Sequence, residues 1–405
     1  ASSAFSRPEV CIRGRLSYHK TLPPPAPDGI TIRPNHHTRN AYMKFLSFLT
    51  LFILLMQPFT YGFYKALCWQ FEGRLKKRGR RLLCLALFAF GNGLIILSLL
   101  RLWHGSFRLT ALWMVLLLYT GFAALFVWLL KLLLRKRVAD EKLRRILRIA
   151  APAAVVSLFC LSLYNAYLPT VRHYRVVLDK PLAKPLRIGV ASDLHLGILF
   201  GARQLDKLAG IMQQEKADII LLPGDIMDDD TAAYEAEHMQ PHLSKLRAPL
   251  GVYATLGNHD LFGAQRQITR AIEEAGITVL NDGIIETGGL TVIGRPDDLD
   301  RGRLKTAELL KQADTSKPVV LLDHRPSEIE LHSTLPIDIQ VSGHVHNGQI
   351  FPANFIVRAI NRLHYGYEKI GNGHFFVTSG YGFWGIPLRL GSQSEVLIID
   401  VEGRR

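Results

Sequence analysis

Residues 186–195 read LRIGVASDLH, and residues 218–225 read DIILLPGD. Each is a short apolar, β-branched run that stops on a carboxylate, the second one directly after a glycine. Runs of this length bounded by turn residues predict buried strands. The same texture returns at Val252–Gly257, Leu290–Gly294, Val319–His324, Ile337–Gly343, Phe375–Ser379 and Val396–Val401. Amphipathic segments at Arg203–Glu215, Thr231–Lys245, Ile268–Ala275 and Arg303–Gln312 are interspersed with these strands. Strand–helix alternation predicts an α/β layered domain. The later strands lack intervening helices, so part of the sheet is expected to be antiparallel.

Upstream of residue 172 the pattern is different. Four stretches carry no charged side chain over a membrane-spanning length: Phe45–Tyr64 (20 residues), Leu82–Leu100 (19), Leu109–Leu130 (22) and Ile149–Val171 (23). A helix needs about 20 apolar residues to cross roughly 30 Å of hydrocarbon. Gln57, Pro58 and Pro152 are tolerable in packed spans. Buried soluble helices are the alternative, and four such stretches in series, each bounded by Lys or Arg, speak against them. The expected organisation is a Pro-rich, structureless segment at 1–44 (TLPPPAP lies within it), a four-helix transmembrane domain at 45–171 and an α/β domain at 172–405. Met43 is the expected start of translation. The DKPLAKPL segment reads as a short link, and from Val171 to Arg187 the chain extends at most about 50–60 Å. The soluble domain is therefore expected beside the bilayer.

The charge is divided in the same way. The 405 residues hold 49 Lys+Arg and 34 Asp+Glu, but residues 1–170 carry a net +19 and residues 171–405 a net −4. A nucleic-acid-binding protein should carry its basic groups on the working domain, so the division argues against that class and no nucleic-acid partner is expected. The 65–81 and 131–148 loops have seven and eight Lys/Arg, and the 101–108 loop has two. Positive residues are retained on the cytoplasmic side, which predicts a C-terminal domain outside, on the extracytoplasmic face. No intramembrane carboxylate or Lys marks a transport path, and no P-loop is present. All four Cys precede residue 171, so the C-terminal domain has neither a disulfide nor a thiolate metal site of its own.

Chemistry is written at the strand ends. Asp193-Leu-His195, Gly224-Asp225, Gly257-Asn258-His259-Asp260, His324 and Gly343-His344-Val345-His346 each close an apolar run. Such ends converge at one sheet edge, where ligands bind. A glycine before Asp225, Asn258 and His344 is expected to turn the backbone sharply. Nitrogen and oxygen donors without sulfur suit Mn, Fe, Zn or Co, manganese first among them. His173, His238, His242, His332, His364 and His374 read as structural or surface residues. Asp228, Asp229 and Asp230 are expected to cap the Thr231 helix and face solvent. Asp260 either orients the His259 ring or caps the following segment. Arg389 either binds substrate phosphate or pairs with an acid; Arg389 and Asp260 are the candidate substrate-binding residues. Leu196, Ile198, Phe200, Phe351, Phe355, Phe383 and Trp384 are loop packing or a rim for an acyl chain.

The ordered set D-x-H, GD, GNHD, H and GH-x-H resembles the calcineurin-like metallophosphoesterase superfamily. Together with the membrane spans, ASDLHLG, LPGDIMDD, LGNHD, LLDHRP, SGHVHNGQI and TSGYGFWGIPLRLGSQSEV resemble its bacterial membrane-linked, YkuE-like subgroup. The resemblance covers about 186–401 and implies a two-sheet sandwich with helices outside. It also implies a bacterial inner membrane as the location and two divalent metal ions. One would be held by Asp193, His195 and His346, with Asp225 bridging. The other would be held by Asp225, Asn258, His324 and His344, and His259 would be the catalytic histidine. Two cations about 3.5–4 Å apart lower the pKa of a bridging water and neutralise phosphate oxygens. The expected activity is phosphoester hydrolysis, of a diester first, on a small or lipid-linked ester at the membrane, the lipid bilayer being the other partner. The alternatives are a UDP-2,3-diacylglucosamine hydrolase-like pyrophosphatase and an inactive membrane receptor or scaffold.

Overall fold

The computed structural model of the chain describes residues 36–100 and 105–404, with side chains from Thr50 onward. Two compact units divide the chain, Ala1–Leu54 and Leu55–Arg405. The first contributes the opening turns of α1 (His36–Gln70), and the second holds everything else described below. The Pro-rich stretch before residue 36, Cys11 and Arg101 lie outside the described residues. Residues 36–44, expected to be structureless, begin α1.

Among the described residues, four helices are long and apolar enough to cross a membrane: α1 from Thr50 to Gln70, α2 (Lys77–Leu99), α3 (Ser106–Leu134) and α4 (Asp140–Tyr167). Their polar side chains are satisfied between neighbours: the Gln57 and Asn92 amides exchange hydrogen bonds of 3.0 and 3.3 Å between α1 and α2. α4 stops at Tyr167, four residues before the end of its charge-free stretch. Pro169 excludes the helical region for the residue before it, and Leu168 is extended at φ −113°, ψ 92°.

The stretch between the fourth span and the DKPLAKPL link is a strand. β1 (Thr170–Leu178) leaves α4 after two residues and pairs in parallel with β12 (Glu395–Gly403). Its Arg172, His173 and Arg175 suit an edge strand, where charge blocks further pairing, and they also masked its apolar alternation in the sequence. Ten more strands follow: β2 (Leu186–Val190), β3 (Ile219–Pro223), β4 (Val252–Thr255), β5 (Thr278–Val279), β6 (Gly283–Thr287), β7 (Leu290–Arg295), β8 (Val319–Asp323), β9 (Ile339–Ser342), β10 (Gly366–Ile370) and β11 (Gly373–Val377). They form two six-stranded mixed sheets in the orders β1-β12-β2-β3-β4-β5 and β10-β11-β9-β8-β7-β6. The β12–β2, β10–β11 and β6–β7 pairs are antiparallel; the rest are parallel.

Residue alternation places two cores on the first sheet. Ile188, Val190, Ile219 and Leu221 face Val292, Val320, Leu322 and Val341 of the second sheet. Ile220, Leu222 and Ala254 point the other way, onto α5 (Ala202–Gln214) through Leu205, Leu208 and Met212. The expected Thr231–Lys245 helix is two short ones, Ala232–Ala236 and Gln240–Leu243, broken where His238 takes φ 49°.

The α/β domain also shares a core with the membrane helices. Ile386 and Leu388 are buried against Val115 and Tyr119 of α3, and Phe351 meets Phe122 at 5.7 Å between ring centroids. The last turns of α4 are held through its backbone. Arg389 N donates to Ser162 O (3.0 Å) and Ser394 Oγ to Ala166 O (2.7 Å). Asn165 Nδ2 in turn donates to Arg389 O (3.2 Å). Four of these six side chains are buried and two half-buried, so the two parts are docked and not merely tethered.

Candidate metal centre

Five loops leave the C-terminal ends of β2, β3, β4, β8 and β9 and meet at one edge of the sandwich. Asp193, His195 and His346 offer ligand atoms within 4.8 Å of one another, and so do Asp225, His324 and His344. Asp225 lies between the groups: its Oδ2 is 3.7 Å from His195 Nε2 and 3.2 Å from His324 Nε2. The backbone is bent to present these side chains. Asp193, His195, Asp225, His344 and His346 all have φ between 46° and 70°, the left-handed region, which costs a non-glycine residue about 1–3 kcal/mol. Strain of this kind persists only where surrounding contacts fix it.

The glycines work differently from the expectation. Only Gly224, at φ 90°, makes a left-handed turn before its ligand. At Gly257 the constraint is space, because a Cβ there would lie 2.1 Å from Asp225 Oδ1. Gly343 is the same case, 2.1 Å from Asp193 Oδ2.

The donors suit a pair of cations. Asn258 Oδ1 is buried without a hydrogen-bond partner, and His324 Nε2 has only the Asp225 carboxylate, 3.2 Å away, an arrangement that a bound cation satisfies. Burial pushes His195 and His344 down to about 3 and His346 well below its usual value, so these imidazoles are neutral, the form that ligates a metal. Burial raises Asp193 to about 6. Burial also opposes ionisation of Asp225, but His324, His195 and His259 outweigh it and hold the carboxyl well below the usual range. His324 moves the opposite way: although burial disfavours its charge, Asp225, Asp193 and Asp297 push it up to about 10. A spot this negative suits a cation, and a divalent ion bound there would take the place of the imidazolium proton.

His259 stands beside the two groups. Its backbone N–H donates to Asp225 Oδ1 (2.9 Å), and its ring Nδ1 is 2.6 Å from Asp229 Oδ1. Burial lowers the affinity of His259 for a proton, and Asp229, with Asp225 and Asp228, more than restores it, leaving the pKa raised. This corrects the expectation for the acidic run. Asp230 does cap the helix, accepting from Ala232 N at 2.8 Å. Asp229 holds the His259 ring, and Asp228 lies 3.8 Å from His195 Nδ1. No local pattern distinguished the three.

Asp260 and Arg389, the candidate substrate-binding residues, are both fully buried, and their charged groups engage the backbone. The Asp260 carboxylate accepts from the backbone N–H groups of Gly257, Ile226 and Met227 at 2.9–3.1 Å, tying the β3 and β4 loops together. Burial, then the charge of Asp225, raises it to about 7. Arg389 donates to Ser379 O and Gly382 O at 2.7 and 2.6 Å and lies 3.1 Å from His346 Nδ1; it shapes the loop after β11. Of the expected apolar rim, Leu196, Phe200 and Phe383 are core, whereas Ile198, Phe355 and Trp384 are exposed. His332 is buried among Gln340, Thr306 and Arg295, and His173, His242 and His374 have Glu215, Asp206 and Tyr367 as partners.

A catalytic edge with two carboxylate–imidazole groups defines a metal-dependent hydrolase. Residues 186–348 match the Calcineurin-like phosphoesterase family. An uncharacterized metallophosphoesterase of Helicobacter pylori strain J99 is 32% identical over 261 residues, 63% of this chain and 70% of that protein. The uncharacterized metallophosphoesterase YkuE of Bacillus subtilis is 28% identical over 52% of this chain and 77% of its own length. A transmembrane protein with metallophosphoesterase domain from Danio rerio is 27% identical over 52% of each chain. The chain belongs to the calcineurin-like metallophosphoesterases. It is a metal-dependent phosphoester hydrolase that carries four helices long and apolar enough to cross a membrane among its described residues.

Proposed function

We propose that this chain is a membrane-anchored phosphodiesterase acting on a phosphate ester at the bilayer surface. The observation that carries the reading is Asp225 standing between two carboxylate–imidazole groups, beside the buried and unpartnered Asn258 Oδ1. Asp193, His195 and His346 would hold one ion, and His324, His344 and Asn258 the other, with Asp225 shared. Such ions, manganese first among them, supply Lewis acidity toward water and the phosphate oxygens.

The protein's own groups then position and protonate. Asp229 can only accept a hydrogen bond, so the His259 Nδ1 proton points to it and Nε2 is the atom that moves a proton toward the leaving oxygen. Asp260 keeps the β3 and β4 loops in register through three backbone N–H groups. The charge on the Lys/Arg-rich loops favours a catalytic domain on the extracytoplasmic face of a bacterial inner membrane.

Preference for a diester follows from charge. Asp225, Asp228 and Asp229 all lie against His259, and they repel a phosphomonoester dianion more than a diester monoanion. With the full chain loaded with Mn²⁺, kcat/KM for bis(p-nitrophenyl) phosphate is expected to exceed that for p-nitrophenyl phosphate by about tenfold or more. A preference for the monoester sinks the diesterase reading.

A further inference from the structure

One wall of the catalytic crevice belongs to a membrane-spanning helix. α3 opens Ser106-Phe107-Arg108, and its charge-free stretch starts at Leu109. Arg108 Nη2 donates to Asp228 Oδ2 across 3.2 Å. The other Asp228 oxygen stands 3.8 Å from His195 Nδ1 and 3.9 Å from His259 Nδ1. A single carboxylate therefore separates this guanidinium from a candidate metal ligand and from the candidate acid. The Arg108 side chain is 33% exposed, so it is open to solvent, and the Asp228 contact uses one of its five N–H donors.

The residue before it continues the apolar surface of the span into the crevice. Phe107 packs on Trp384 at 5.1 Å between ring centroids. Trp384 and Phe262 flank the His259 ring at 6.2 and 5.3 Å. Phe107 is 42% exposed, Trp384 46% and Phe262 57%. Aromatic side chains packed in series and left this open mark a binding surface, unlike isolated exposed apolar residues. This surface begins on a helix whose next turns are lipid-compatible, so the occupant it fits is an alkyl chain coming from the bilayer.

We propose that the membrane domain supplies part of the active site: Arg108 takes a phosphate oxygen of the substrate, and Phe107 with Trp384 receives the chain of a lipid-linked phosphodiester. Guanidinium suits this task because its fork of donors pairs with two phosphate oxygens at once. Asp228 holds the fork in place when no substrate is present. This assignment rests on the phosphodiesterase reading.

The test uses the full chain in nonionic mixed micelles, loaded with Mn²⁺. Its two probes are hexadecyl p-nitrophenyl phosphate and methyl p-nitrophenyl phosphate, which share a leaving group and differ only in the chain. The wild type is expected to turn over the hexadecyl ester with a KM at least about tenfold lower, as burial of a few methylenes suffices to give. Phe107→Ala and Trp384→Ala are expected to erase most of that difference. Arg108→Gln is expected to raise KM for both esters about tenfold, the worth of one charge-assisted hydrogen bond. Its kcat falls less, its two metal ions stay bound, and Arg108→Lys restores part of the loss.

Equal KM values for the two esters in the wild type overturn the lipid assignment and leave the phosphodiesterase standing. An Arg108→Gln protein that loses metal and kcat together makes Arg108 a mere support for Asp228. Unchanged kinetics in that variant overturn its role altogether. No turnover of either ester by metal-loaded wild type overturns the phosphodiesterase reading itself.

Discussion

Asp225→Asn is expected to abolish phosphoester hydrolysis, lowering kcat/KM by about a thousandfold or more, some 4 kcal/mol of transition-state stabilisation. The substitution is close to isosteric, so the packing that buries the residue survives, and only the charge is lost. That charge holds the centre together. Asp225 is the one carboxylate within 3.7 Å of an imidazole from each ligand group, and two cations a few ångströms apart need a shared anion to offset their repulsion. Hydrolysis of bis(p-nitrophenyl) phosphate with excess Mn²⁺ measures the loss. Turnover within tenfold of wild type rules out Asp225 as the bridge.

His259→Ala is the second large effect. It is expected to lower kcat by about 10²–10⁴, the range for a positioned general acid, while metal content stays at the wild-type level. The side chain contributes a proton-carrying atom, whereas its backbone N–H, which donates to Asp225, is kept in the alanine variant. Asp229→Asn is expected to lose less, because the ring keeps a hydrogen-bond acceptor at Nδ1 but not the carboxylate charge. A leaving group that needs no proton, such as p-nitrophenolate, should narrow the His259→Ala deficit compared with an alkoxide. An equal deficit for both leaving groups makes His259 a phosphate-binding residue and not an acid.

The candidate ligands were legible because each ends a buried strand, and a run such as DIILLPGD displays both the strand and its terminus. Parallel strands carry their C-terminal ends to a common edge, so an ordered set of such endings implies convergence without any knowledge of the pairing. The second sheet's hydrophobic strands were legible for the same reason, whereas β5, β6 and β10 were not. β5 has two residues, and β6 and β10 are half-exposed edge or near-edge strands whose pattern is weak. β1 was missed because its basic residues occupy an edge next to two prolines. The partners of the ligands were harder still. Nothing within a few residues of Asp229 distinguishes it from Asp228 or Asp230, since its partner His259 is 30 positions away. Arg108 and Asp228 are 120 apart, and a lone arginine at the head of an apolar span reads as an interface anchor. Arg389 and Asp260 carried charges that suggested contact with substrate, and only their burial shows that they bind backbone.

The proposed chemistry depends most on the centre holding two ions. The direct test is metal content: full-length protein dialysed against Mn²⁺, passed through a desalting column and analysed by elemental mass spectrometry, beside Asp225→Asn. Two ions per wild-type chain, falling to one or fewer in the variant, are the predicted result. A wild-type chain that binds one ion or none, or a variant that still holds two, contradicts the dinuclear centre and the mechanism built on it.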